Sequence, residues 1–153
     1  MPGMVAWCGR DAVRRLILTI ILSLLSAAPA AADLRIVASP GGEVSGYLKM
    51  IAAMRESGQR IVIDGPCYSA CTLLLSEIPA HRLCVTRRAV LGFHAARWVD
   101  GEGRESAAPE ETRLVLAGYP PAVRDWIQRR GGLKRKPIFL RGRELAAILP
   151  TCR

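Results

Sequence analysis

The run Ile61-Val62-Ile63-Asp64 constrains this chain more than any other segment. Three consecutive β-branched apolar residues, without polar alternation, describe a strand buried on both faces. Such a strand belongs in a parallel sheet covered by helices, and parallel neighbours need long crossovers. The flanking pattern supplies them. Leu34-Arg35-Ile36-Val37-Ala38 reads as an earlier strand, stopped by Ser39-Pro40-Gly41-Gly42. Val44, Tyr47, Leu48, Ile51 and Met54 then recur at helical spacing, predicting a helix from about Glu43 to Ser57 with Gly58 just past its end. Beyond Asp64, Gly65-Pro66 breaks the strand, and Ser69 to Ile78 reads as a second helix ended by Pro79. Arg82 to Thr86 and Ala89 to His94 read as two further strands separated by Arg87-Arg88. This order predicts an α/β fold of βαβ units with right-handed crossovers and a mostly parallel sheet, in one small domain.

Farther on, the polar, glycine-containing stretch Asp100 to Pro109 reads as a surface loop. Glu110 to Ala117 and Pro121 to Arg130 read as helices, with Pro120-Pro121 at the start of the second, where proline is tolerated. Pro137 to Leu140 reads as a short strand and Arg143 to Leu149 as a last turn of helix before Cys152.

The first 32 residues read as a separate element. Arg10, Arg14 and Arg15 precede the apolar run from Leu16 to Leu25, and Ala30-Ala31-Ala32 precedes Asp33. A basic region, a short apolar core and a small-residue site describe a secretory signal peptide, leaving residues 33–153 as the domain. The rival is an uncleaved anchor, but the longer apolar run from Leu16 to Ala32 is broken by Pro29 and falls just short of the roughly 20 residues a spanning helix needs. Export places Cys67, Cys71, Cys84 and Cys152 in an oxidising compartment, periplasmic or secreted. Four cysteines allow two disulfides in three connectivities, and bridges pinning the Cys67–Cys71 turn to Cys84 and Cys152 are the expectation. A reactive thiol at a helix start is the alternative reading of Cys67 or Cys71. A zinc site has little support, because no second close pair of Cys or His follows. The expectation is no metal and no cofactor.

Two strand-to-helix turns carry the chemistry. Gly41-Gly42 ends the first strand, and Gly65 to Ser69 ends the second. In a parallel sheet both lie at the carboxyl edge, where α/β sheets bind ligands. There the N–H groups of Gly42 and Ala70 can face one oxygen atom. Ser69 and the downstream His94 are the residue types that nucleophilic catalysis pairs. The plain alternatives are ordinary tight turns and a serine that caps its own helix. His81 lies in a polar turn and reads as solvated, while Tyr68 either lines a pocket or packs.

Ser39-Pro40-Gly41-Gly42, then Gly65-x-x-x-Ser69, then His94 after two strands resembles the proteolytic subunit of the Clp protease, within the crotonase superfamily. The resemblance covers roughly Leu34 to Ala96. It implies a crotonase-like fold, Ser69 as nucleophile, His94 as base, and Gly42 and Ala70 as oxyanion-hole donors. Two departures stand beside it. The family carries a strand and helix ahead of its counterpart of Leu34–Ala38, for which this chain has no room. The family also has an aspartate before a Phe-Leu pair, where this chain reads Lys136-Pro137-Ile138-Phe139-Leu140. In a true triad, losing that acid costs on the order of 10⁴-fold in turnover. A dyad oriented by a backbone carbonyl or by Glu144 is the remaining arrangement.

The expected function is therefore an exported serine hydrolase, a peptidase using a Ser-His dyad on a peptide or small acyl substrate. The alternative is a non-catalytic binding module that keeps a crotonase-like pocket. The chain carries a formal charge of +9. Arg129, Arg130, Lys134, Arg135 and Lys136, with Arg141 and Arg143 beyond, form a basic patch. It reads as a solvated face or as an attraction for an anionic surface or acidic partner. Nucleic acid is not the expected partner, because aromatic residues do not interleave with the charges and the compartment is wrong for it. A homo-oligomer stays open: family members form rings or trimers, and the missing leading elements bear on those contacts.

Overall fold

The computed structural model describes residues 32–152, so the leader reading of residues 1–32 lies almost wholly outside the described residues. The buried run of the sequence is strand β2 (Ile61–Ile63), with every side chain buried. It lies between β1 (Leu34–Ile36) and β4 (Leu83–Val85), parallel to both. Helix α1 (Val44–Glu56) connects β1 to β2 and buries Ile51 and Met54. Glu43 caps α1, its carboxylate accepting from the Ser45 and Gly46 N–H groups. Gly58, at φ +70°, follows its end.

A second small sheet comprises β3 (Pro66–Tyr68), β5 (Val90–Phe93) and β8 (Ile138–Arg141). β3 runs parallel to β5, whereas β8 is antiparallel to it. The chain passes from the first sheet to the second at Gly65. A Cβ there would lie 2.0 Å from the Val37 carbonyl oxygen, so only glycine lets β1 and the β2–β3 connection come this close. The Arg97–Val99 (β6) and Glu105–Ala107 (β7) strands form an antiparallel hairpin. Helix α2 (Leu74–Glu77) follows a 3₁₀ turn over Ser69–Leu73. Helices α3 (Pro109–Gly118), α4 (Pro121–Arg129) and α5 (Gly142–Ile148) complete a mixed α/β architecture.

Three expectations are corrected. The mostly parallel sheet divides into a parallel sheet, a mixed sheet and a hairpin. The predicted helix at Ser69 begins as a 3₁₀ turn, preceded by a strand that the Gly-Pro break concealed. The Asp100–Pro109 loop is partly strand, because Arg97–Val99 finds a partner across the Asp100–Gly103 turn.

Both sheets and the helices share one core. Ile51, Ile63, Leu74, Leu91, Phe93, Val123, Ile127 and Leu140 are all buried in it. Two disulfides staple this core, Cys67–Cys71 and Cys84–Cys152. The expected bridges from the turn to Cys84 and Cys152 do not form. The chain reverses at Ser69, returning Cys71 to within 5.3 Å of Cys67 (Cα to Cα), so that pair closes locally. Thr151 bridges to Val85, placing Cys152 beside Cys84.

Asp64 is buried at the end of β2 and takes charge-assisted hydrogen bonds from Arg88 and Arg35, and a further hydrogen bond from Thr86. The Arg88 guanidinium, with Thr86 and Arg35, holds its carboxyl far below the usual carboxylate range. Among the described residues no helix is long and apolar enough to cross a membrane. The two disulfides fit an oxidising, extracytoplasmic environment.

Candidate active site

Strand register determines which residues meet. The Ser39–Cys67 bridge is parallel, so two residues farther on Gly41 comes alongside Ser69. Tyr68 registers with Gly92 on the parallel strand β5, so Ser69 and His94 leave adjacent strand ends in the same direction. A Cβ on Gly41 would lie 2.6 Å from Ser69 Cβ, 2.6 Å from the Tyr68 oxygen and 3.2 Å from the Ala70 nitrogen. At φ +86° Gly41 also adopts a backbone that other residues avoid. The glycine this packing demands is thus Gly41, while Gly42 packs on the Tyr47 ring.

Ser69 has φ +53°, and among the described residues it is the only non-glycine residue with positive φ. Such a conformation at a residue with a Cβ costs roughly 1–3 kcal/mol and persists only where neighbours over-determine it. Here they do. The Cys67–Cys71 disulfide spans the turn. Thr72 Oγ1 donates to the Ser69 carbonyl oxygen at 2.7 Å and lies 2.6 Å from the Tyr119 hydroxyl. The Tyr119 O–H therefore donates to Thr72, whose proton is already spent. Burial pushes the Tyr119 phenol up to about 12, keeping it protonated for that role. Phe93 packs edge-on against the Tyr119 ring at 5.3 Å.

His94 Nδ1 lies 2.7 Å from the Ala95 carbonyl oxygen. A carbonyl only accepts, so the neutral imidazole carries its proton on Nδ1 and its lone pair on Nε2. Neither Asp nor Glu shares a hydrogen bond with His94 among the described residues, and Glu144 is paired instead with Arg130 at 2.5 Å. Ser69 and His94 line two adjoining cavities together. No hydrogen bond joins them among the described residues.

The larger cavity, about 640 Å³, is lined by Ser69, His94, the Pro40–Val44 turn, and Arg97, Trp98, Val99 and Glu105 of the hairpin. The smaller, about 40 Å³, lies against Ala70, Thr72, Leu73, Val115 and Tyr119. Gly42 borders the first and Ala70 the second. Neither the Gly42 nor the Ala70 backbone N–H forms a hydrogen bond among the described residues. Two N–H groups without a partner thus lie near a strained hydroxyl, each on a different cavity.

Sequence reasoning missed Thr72 and Tyr119, which lie 47 residues apart and meet only through the fold. It also missed Trp98, although Arg97-Trp98-Val99 has strand-forming composition. Tyr68 packs edge-on against Phe139 at 5.5 Å and lines neither cavity. His81 is exposed. Within the basic patch, Arg130 pairs with Glu144 and stacks over Trp126, and Arg135 pairs with Glu105. Among the described residues no cluster of three or more His, Cys, Asp or Glu could hold a metal ion.

No protein-family model matches this chain, and no curated protein sequence does.

Proposed function

We propose that this protein is an exported serine hydrolase, a peptidase or esterase of crotonase-like build related to the Clp proteolytic subunit. The observation that carries the reading is Ser69, held at φ +53° on the wall of a cavity it shares with His94. Strain at a single hydroxyl residue, over-determined by a disulfide and a buried hydrogen-bond chain, is characteristic of a presented nucleophile.

The chemistry follows from the groups present. His94 Nε2 takes the Ser69 proton as Oγ bonds to the substrate carbonyl carbon. The Gly42 and Ala70 N–H groups hold the oxyanion, each contributing roughly 3–4 kcal/mol in sites of this kind. The tetrahedral intermediate collapses, the bond to the leaving group breaks, and Nε2 returns the proton to it. Water then attacks the acyl-serine, with Nε2 again taking and returning a proton. Ala95 keeps the imidazole in the correct tautomer but supplies no negative charge to the imidazolium.

That last fact favours a second reading, a binding module that retains the pocket without efficient turnover. One experiment separates them. A fluorophosphonate probe, read by intact mass, labels the oxidised protein at Ser69 on the hydrolase reading, and labels neither Ser69→Ala nor His94→Ala. Absence of labelling on folded, disulfide-intact protein selects the binding module.

A further inference from the structure

We infer that the groove between the β4–β5 turn and helix α5 binds a small anionic amphiphile, an acidic head group on an apolar chain. The groove has a volume of about 570 Å³ and shares no lining residue with either cavity at Ser69. That volume lies within the range of small-molecule sites. Charge selects the head group. Arg87, in the turn after β4, and Arg143, in the first turn of α5, both line the groove. Neither makes a hydrogen bond or an ion pair among the described residues. Their neighbours are engaged: Arg35 and Arg88 hold Asp64, and Arg130 holds Glu144. No Asp or Glu is among the residues that line the groove. Two guanidinium groups thus border one concavity without a counter-charge. An anion between them removes their mutual repulsion, and the guanidinium fork matches carboxylate and phosphate oxygens.

The backbone adds a donor. The Val85 N–H donates to the Pro150 oxygen and the Cys152 N–H to the Val85 oxygen. The Thr151 N–H between them has no partner among the described residues, and Thr151 lines the groove. The lower wall selects the body. Val85 and Leu145 are buried, and Ala146 and half-buried Cys152, in its bridge to Cys84, continue an apolar surface. The Thr86 hydroxyl beside Val85 has its proton spent on Asp64. Inorganic phosphate would satisfy the arginines and leave this apolar surface in water. An alkyl chain behind the head group covers it, and each buried methylene adds about 0.8 kcal/mol.

The test titrates the oxidised protein with monomeric octanoate and follows the backbone amides by NMR. Saturable shifts should appear at Thr86, Ala146 and Thr151. Arg87→Gln and Arg143→Gln replace exposed side chains without a partner, and each should raise Kd by about tenfold or more, the worth of a charge-assisted hydrogen bond. Arg141→Gln, exposed on β8 and outside the groove, should leave Kd unchanged. Octanol, which lacks the charge, and acetate, which lacks the chain, should each bind at least about tenfold more weakly than octanoate. Octanol binding as well as octanoate, or acetate as well as octanoate, overturns the inference. So does an Arg141→Gln effect equal to that of Arg87→Gln, which would indicate surface charge alone. Absence of saturable shifts, shifts confined to the surroundings of Ser69 and His94, or binding only to phosphatidylglycerol vesicles overturns it as well.

Discussion

Replacing Ser69 by glycine and by alanine measures the strain at the site directly. Both variants lose the hydroxyl, so their difference isolates the backbone. A left-handed residue with a Cβ costs about 1–2 kcal/mol that glycine does not. Glycine returns about 0.4–1 kcal/mol of this through its freer unfolded chain. At φ +53°, Ser69→Gly should therefore be the more stable variant by about 0.8 kcal/mol. At a urea dependence of about 1.5 kcal/mol per molar, that separates the unfolding midpoints by about 0.5 M. Ser69 Oγ makes no hydrogen bond among the described residues, so Ser69→Ala should unfold close to the wild type and Ser69→Gly should exceed both. Equilibrium urea unfolding without reductant, followed by fluorescence of buried Trp126, reads the effect. Equal midpoints, or a more stable alanine variant, would refute the claim that this turn is held under strain.

The two disulfides should differ in worth. On the chain-entropy account, Cys84–Cys152, with a sequence separation of 68, contributes about 4 kcal/mol, and Cys67–Cys71, with a separation of 4, about 2 kcal/mol. Paired Cys→Ala variants compared by urea unfolding should reproduce that order, while Ser69 labelling should suffer more from loss of the shorter bridge. Asp64 sets an acid limit. Its folded-state pKa lies far below the ordinary 3.8, so its stabilisation is present above that value and is lost as pH falls through the folded one. The Tm gap between wild type and Asp64→Asn should be widest near neutrality and close as pH falls toward about 2; a gap constant with pH counts against this assignment.

Much of the scaffold could be read without coordinates. Ile61–Ile63 announced its two-sided burial through its lack of alternation, and Val44–Glu56 carried its apolar spacing and a glycine stop. Pro66–Tyr68 could not be read as a strand, since three residues beginning with proline have no periodicity; pairing with β5 makes them one. Ser69 was legible as a turn residue, but its positive φ is held by the Cys67–Cys71 bridge and by Thr72 and Tyr119, contacts that the sequence does not order. Disulfide partners were likewise undetermined, because pairing follows from where the chain reverses. Of the residues about the serine, those named by sequence supply reactive groups. Thr72 and Tyr119, which hold its backbone, are ordinary residue types and carry no signal.

The Pro150–Cys152 segment has a bearing on solubility. It lies along β4, with the Val85 N–H donating to the Pro150 oxygen at 2.9 Å and the Cys152 N–H to the Val85 oxygen at 3.0 Å. β4 would otherwise present an unpaired, wholly apolar edge, Leu83-Cys84-Val85. Such an edge is a template for pairing with other molecules. The Cys84–Cys152 bond therefore works as a latch on an aggregation-prone border, and a reducing environment would release chains able to stack edge to edge.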